Sequence, residues 1–253
     1  MSRVASLVYG SIAYTTFLGA FLYAAGFVGN VFVPKSINSG DAGPLGQALL
    51  INTVLLGVFA IQHTGMARKA FKRWLTRFVP ESIERSTYVL CASLSLIVLY
   101  WQWQPLPEVI WNIESAGARA AVQALFAGGW LFVFLSTVMI HHFDLFGMRQ
   151  TWLRFRNQPY RELGFRTPGF YKYVRHPIQV GFLIAFWATP TMTVGHLLFA
   201  AATTAYIVIA VKMFEEKDLL REHGERYRTY MDQVGGFIPK GRFRGSADVE
   251  EAV

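Results

Sequence analysis

The sequence predicts an all-α fold: a polytopic transmembrane helical bundle of about five to six membrane segments, with a short helical hairpin near the C-terminus and cytoplasmic amphipathic helices. Three observations predict it. The 253 residues are 53% hydrophobic and only 16% charged, with a mean hydropathy of +0.31, whereas a soluble domain carries about 25% charged residues. The apolar residues are gathered into long runs, which suits spans in lipid better than one large soluble core. The loops between runs alternate between basic and nearly free of Lys and Arg, the pattern that orients membrane helices.

The first run, residues 7–33, ends near Pro34. It is too long for the apolar core of a signal peptide and lacks a small-residue cleavage pattern, so it reads as a retained span. The second covers 45–66. The third, 87–103, is shorter and closes on Trp101 and Trp103, as an interfacial aromatic belt does. The fourth covers 116–140. Residues 151–175 are polar and aromatic, with Pro159, Pro168 and Gly169, and read as a cytoplasmic loop with one surface helix. The fifth run, 178–189, is about two-thirds of the roughly 20 residues a span needs, as expected of a tilted or broken helix lining a cavity. Thr189-Pro190-Thr191 separates it from the sixth, 194–214, and makes the two a hairpin. Residues 215–234 are charged and helix-prone, with Gly224 as a break. Residues 1–240 read as a single domain, and 241–253 as a flexible tail.

Charge sets the orientation. Arg68, Lys69, Lys72, Arg73, Arg77 and Arg85 follow the second run, a group from Arg149 to Arg175 follows the fourth, and Lys212, Lys217, Arg221, Arg226 and Arg228 end or follow the sixth. Residues 104–115 and 190–195 contain neither Lys nor Arg, and 34–44 contain only Lys35. Both termini are therefore expected in the cytoplasm. The net charge of +8 belongs to this topology, so membrane lipid is an expected partner and nucleic acid is not. Cys91 is the sole cysteine, which excludes an intrachain disulfide framework. The absence of a P-loop, a G-x-G-x-x-G after a strand, a G-x-S-x-G and a Cys-x-x-Cys motif removes soluble nucleotide-binding and common hydrolase readings. No residue pattern fixes an oligomeric state.

Three constellations carry chemistry. Arg175-His176-Pro177 starts the fifth run, where proline suits the first helical position and the free N–H groups and positive dipole end favour an anion. An ordinary interfacial helix start with a snorkelling arginine gives the same pattern. Glu215-Glu216 follows the sixth run; acidic residues beside hydrocarbon are costly unless paired or hydrated. These suit ribose hydroxyls, an amino group or Arg175, or else begin a solvated surface helix. A membrane hairpin returns the two clusters to one face, which suits a charged, zwitterionic ligand. The third is His141-His142-Phe143-Asp144, with Arg149 and Gln150. Adjacent histidines point to different helix faces, so no metal site is expected; proton handling by His142, oriented by Asp144, is the chemical reading, and polar residues closing a span are the plain one. Gln62 and His63 end the second run at the same face, and His196 begins the sixth at the opposite one.

On these residues the chain resembles the integral-membrane methyltransferases that include isoprenylcysteine carboxyl methyltransferase and the phospholipid methyltransferases. The likeness covers about 171–230, through Arg175-His176-Pro177, the apolar hairpin, and Glu215-Glu216 followed by Leu219 and Tyr227. His142-Phe143-Asp144-Leu145-Phe146-Gly147-Met148-Arg149-Gln150 and the segment 185–193 look like the bacterial methanethiol S-methyltransferases, over most of the chain. The resemblance implies S-adenosyl-L-methionine as cofactor, S-adenosyl-L-homocysteine and dimethyl sulfide as products, a small volatile thiol as substrate, and a bacterial inner membrane as location. It implies a cofactor site of Tyr173, Arg175, His176, Pro177, Gly181, Glu215, Glu216 and Tyr227, and a catalytic group of His141, His142, Asp144 and Arg149. The family often has a tyrosine two residues after the motif's proline, where this chain has Gln179. A prenylcysteine or lipid methyltransferase, and a membrane transporter or sensor using the same ionisable residues, are the alternatives.

Overall fold

A computed structural model describes residues 1–243. It is an all-α bundle with one small sheet, and the protein is an integral membrane protein. Five helices among the described residues are long and apolar enough to cross a membrane. These are α1 (Arg3–Gly29), α2 (Leu45–Ala67), α4 (Glu81–Gln102), α5 (Ala116–Met139) and the continuous helical stretch that starts with α9 (Val194–Ala210). Shorter helices are α3 (Lys69–Leu75), α6 (His142–Leu145), α7 (Met148–Phe155) and α8 (Pro177–Trp187). A π-helical turn, Val211–Glu215, joins α9 to α10 (Glu216–Gln233).

Local chemistry sets several ends that hydropathy misplaces. α1 begins at Arg3 because the Ser2 side chain accepts the Ala5 N–H at 3.1 Å, and it stops at Gly29 because Asn30 turns left-handed at φ 56°. Such a stop satisfies the last orphan carbonyls. α4 begins six residues before its apolar run, since Pro80 precedes it and Glu81 and Glu84 occupy its first turn, where acidic groups complement the helix dipole. Gly224 lies at φ 55°, ψ −132° and breaks α10 as expected.

The chain divides into two compact units, each discontinuous in sequence. The first comprises Met1–Arg119, Phe143–Arg161 and Thr189–Thr203. In it α4 packs between α1 and α2. Buried polar groups there are paired: Asn52 and Gln104 exchange hydrogen bonds of 2.8 and 2.9 Å, and the Trp103 indole donates to the Ile37 carbonyl. The two loops poor in Lys and Arg form an antiparallel pair, β1 (Val109–Asn112) with β2 (Thr191–Thr193), bulged between Val109 and Trp111. Hydropathy alone does not show this pairing; the Val, Ile, Trp and Thr content of the two segments is what favours it.

The second unit comprises Ala120–His142, Glu162–Ala188 and residue 204 onward. Its α5 and α8 approach closely at Gly129 and Gly181. A Cβ on Gly181 would lie 2.8 Å from the Val133 nitrogen and 2.9 Å from the Gly129 oxygen. Small residues permit such crossings in lipid, and the Trp130 ring packs edge-on to Phe182 and Phe186 beside it. The Trp187 indole donates to Thr204 Oγ1 at 2.9 Å, which pins α8 to α9. Tyr227, Tyr230 and Val234 form a buried cluster, packed by Phe165, Leu219 and Phe243. Of the expected tail, Phe243 is packed and its N–H bonds the Lys172 carbonyl at 2.8 Å; residues 244–253 lie outside the described residues.

Gly181→Ala forces backbone apart at the α5–α8 crossing. It is expected to destabilise the protein by about 1–3 kcal/mol, read as a lower thermal midpoint in detergent.

Candidate active site

The site begins with two chain segments delivered to one place. Pro177 starts α8 at N1 and makes His176 its N-cap. The hairpin returns through α9 to the π turn, which ends at Glu215. A π turn inserts a residue into the helical ladder and is frequent at functional sites. Here it brings two successive carboxylates to one imidazole. His176 Nδ1 lies 3.4 Å from Glu215 Oε1, and Nε2 lies 3.1 Å from Glu216 Oε1. Gln179, at the position where the family often has tyrosine, donates to Glu215 Oε2 at 3.1 Å.

Arg175 completes the cluster. Its Nε and Nη2 donate to Glu216 Oε1 at 3.0 and 2.5 Å. Its Nη1 donates to the Met231 carbonyl at 3.2 Å and to the Val234 carbonyl. In a straight helix residues 216 and 231 would stand about 22 Å apart, so one guanidinium can reach both only because Gly224 folds the chain back. Residues 234–238 then run beside the fifth run's start. The N–H groups of Arg175 and His176 donate to the carbonyls of Gly235 and Gly236 at 2.9 and 3.1 Å, and Val174 bridges Gly235.

Electrostatics follow from this packing. His176 is almost fully buried. Burial opposes its charge, but the hydrogen bonds and charges of Glu215 and Glu216 outweigh that, and the imidazole is held above its usual value. Glu216 is lowered to about 2, first by the His176 hydrogen bond and, against its own desolvation, by Arg175. Two cations and two anions therefore balance. A cavity of about 280 Å³ opens on this cluster, lined by Arg175, Val211, Lys212, Glu216, Gly236, Phe237 and Ile238.

The other named residues lie as follows. Tyr173 is exposed, with the Arg242 guanidinium 6.0 Å over its ring. Tyr227 is in the buried C-terminal cluster. Gly181, expected among the cofactor contacts, sits in the α5–α8 crossing, where the close approach demands glycine. His141 takes a left-handed φ of 78°, and its Nε2 lies 3.3 Å from Arg166 Nη1. Sequence proximity casts Asp144 as the orienting partner of His142. In the structure His142 Nδ1 meets Thr137 Oγ1 at 2.8 Å, while Asp144 is bonded by Arg149 at 2.9 Å, by Tyr160 at 3.4 Å and by Gln150. Residues two apart on a helical turn face roughly opposite ways, which accounts for the separate partners. The Thr137 hydroxyl donates to the Phe134 carbonyl at 2.7 Å. A hydroxyl has one proton to give, so Nδ1 is the protonated nitrogen of His142 and Nε2 carries the lone pair. Burial lowers the pKa of this histidine.

Comparison with known proteins now bears on this geometry. Over 239 residues the chain is 54% identical to the methanethiol S-methyltransferase of Mycobacterium tuberculosis, covering 94% of this chain and 98% of that one. The chain belongs to the methanethiol S-methyltransferase family. The member from Crocosphaera subtropica is 51% identical, over 94% of this chain and 93% of its own. Nurim of Mus musculus is 29% identical over 62% of each. No protein-family model and no solved structure matches the chain. Membership makes this chain a methyltransferase, an enzyme that requires a methyl donor.

Lys212, Gly236, Phe237 and Ile238 were beyond sequence reasoning. Lys212 looks like a topogenic charge, and residues 236–238 resemble the start of a tail. The Gly235-Gly236 pair preceding Phe237 is the signal that backbone comes close to something there.

Two outcomes follow for the clamp. Arg175→Met leaves Glu216 buried without its cation, and is expected to cost about 3–5 kcal/mol and to make residues after 216 protease-sensitive in detergent. The pH dependence has a definite sign. The raised His176 contributes its full stability below its ordinary 6.5 and loses it as pH rises through the raised value. The lowered Glu216 contributes above 4.5 and loses it only as pH falls through about 2. Thermal midpoints should therefore fall on the alkaline side for the parent, and His176→Gln should flatten that limb.

Proposed function

We propose that the chain catalyses the S-adenosyl-L-methionine-dependent methylation of methanethiol to dimethyl sulfide, at the cytoplasmic side of a membrane-embedded cavity. In this reading both termini are cytoplasmic, the membrane is a bacterial inner membrane, and residues 1–240 act as one catalytic domain. The observation that carries it is the 54% identity to a methanethiol S-methyltransferase over almost the full chain. Family membership goes against the lipid methyltransferase, transporter and sensor readings.

The clamp's chemistry fits the donor. The hydrogen bonds described for Glu216 end on Oε1, so Oε2 remains for a ribose hydroxyl or an ammonium group. Glu215 is partly exposed and, held by Gln179, offers a second carboxylate. The Lys212 ammonium suits the carboxylate of the donor's amino-acid end, and the Phe237 ring suits a purine. When bound, S-adenosyl-L-methionine supplies an electrophilic methyl group and leaves as S-adenosyl-L-homocysteine.

The protein's remaining task is to make a thiolate. A small alkyl thiol is mostly protonated at neutral pH and reacts as its anion. His142 suits the base: its lowered pKa keeps the ring neutral, Thr137 holds Nδ1–H, and Nε2 accepts the thiol proton. Arg149 fixes Asp144, a positioning contact in the segment that follows. Methanethiol and dimethyl sulfide are small and apolar, so both cross lipid without a charged path, which suits chemistry placed in a membrane.

Purified protein in detergent, given S-adenosyl-L-methionine and methanethiol, is expected to release dimethyl sulfide into the headspace. His142→Asn should lower kcat by about 10²–10⁴ with S-adenosyl-L-homocysteine binding unchanged by calorimetry. Unchanged turnover would remove His142 from the mechanism.

A further inference from the structure

The most basic stretch outside the clamp lies directly after α2. Residues 68–78 contain Arg68, Lys69, Lys72, Arg73 and Arg77 with no Asp or Glu. Topology alone accounts for positive charge there, but not for its arrangement. The Arg68 backbone is extended at ψ 137° and ends α2, so α3 is a separate helix placed at the end of a membrane span. At about 100° per residue, Phe71, Trp74, Leu75 and Phe78 fall within one arc, and Lys69, Lys72, Arg73 and Arg77 fall on the opposite side. The aromatic side is continuous: the Phe71 and Trp74 rings are 5.2 Å apart, and Trp74 and Phe78 are 5.4 Å apart. Trp74 is 50% exposed and Phe78 72% exposed.

Exposed stacked aromatics beside the end of a span require an apolar cover, and the position of α3 supplies one in the acyl boundary of the bilayer. The opposite side places cations at headgroup height, where anionic lipids concentrate them. We propose that residues 68–78 form a binding surface for anionic phospholipid headgroups, with the aromatic side seated in the interface and Arg73 and Arg77 meeting lipid phosphate. This surface is separate from the proposed methyl-transfer site and stands whether or not that reading holds.

The test uses the full chain in neutral detergent, titrated with phosphatidylglycerol or phosphatidylcholine, with retained lipid counted by native mass spectrometry. Each surface cation contributes about five-fold at an anionic membrane, so the parent is expected to retain phosphatidylglycerol at least ten-fold more readily than phosphatidylcholine. R73Q/R77Q should lose that preference, R73K/R77K should keep most of it, and about 1 M salt, with a screening length of about 3 Å, should abolish it. W74A/F78A should weaken retention of both lipids. An unchanged thermal midpoint for R73Q/R77Q reports an intact fold. Equal retention of the two lipids by the parent, or an unaltered preference in R73Q/R77Q, overturns the proposal. So does displacement of phosphatidylglycerol by millimolar inorganic phosphate, which assigns the surface to a soluble anion.

Discussion

One guanidinium holds both ends of a folded helix, and the candidate site is arranged around it. Arg175 bonds Glu216 at the start of α10 and the Met231 and Val234 carbonyls at its end. The first contact fixes the carboxylate that faces His176. The second fixes the segment whose Gly236, Phe237 and Ile238 wall the cavity. Both are possible because Gly224 occupies a conformation that ordinary residues avoid. The charges in this cluster would be prohibitive if left single near hydrocarbon. They are tolerated because cations and anions are matched and nearly every described bond is charge-assisted.

The matched cluster and the neutral His142 illustrate two uses of one side chain. His176 gains protonation from two carboxylates despite burial, and so behaves as a fixed cation in a scaffold. His142 meets a hydroxyl, Thr137, and burial pushes it the other way. The difference comes from the neighbours' charge, not from the depth of burial, and it separates a holding role from a proton-accepting one.

Much of this was legible from the chain, at the level where chemistry is local. Long apolar runs with basic loops give the spans, and a charged pair on each side of a short apolar hairpin gives the meeting of His176 with Glu215 and Glu216. Gly224 was readable as a break because glycine inside a charged helical stretch has few other uses. What was not legible depends on distant pairing. The β1–β2 pair joins segments about 80 residues apart in sequence. The partner of His142 is Thr137, five residues back inside an apolar span, whereas proximity to the histidine favours Asp144. Gly181 is adjacent in sequence to the cofactor motif, yet its neighbours are Val133 and Gly129 on another helix. Gln179 shows the opposite case: a departure from the family's pattern that the structure ties into the same carboxylate network.

The π turn at Val211–Glu215 makes this site sensitive to chain length more than to side-chain identity. Removing one residue from that turn would restore ordinary helical winding and swing everything after it by about 100°. Glu215 and Glu216 would then leave the imidazole together, and the cavity wall supplied by Lys212 would turn with them. Among related chains, substitutions in this stretch are therefore compatible with a working site, whereas a gap of a single position marks a different one.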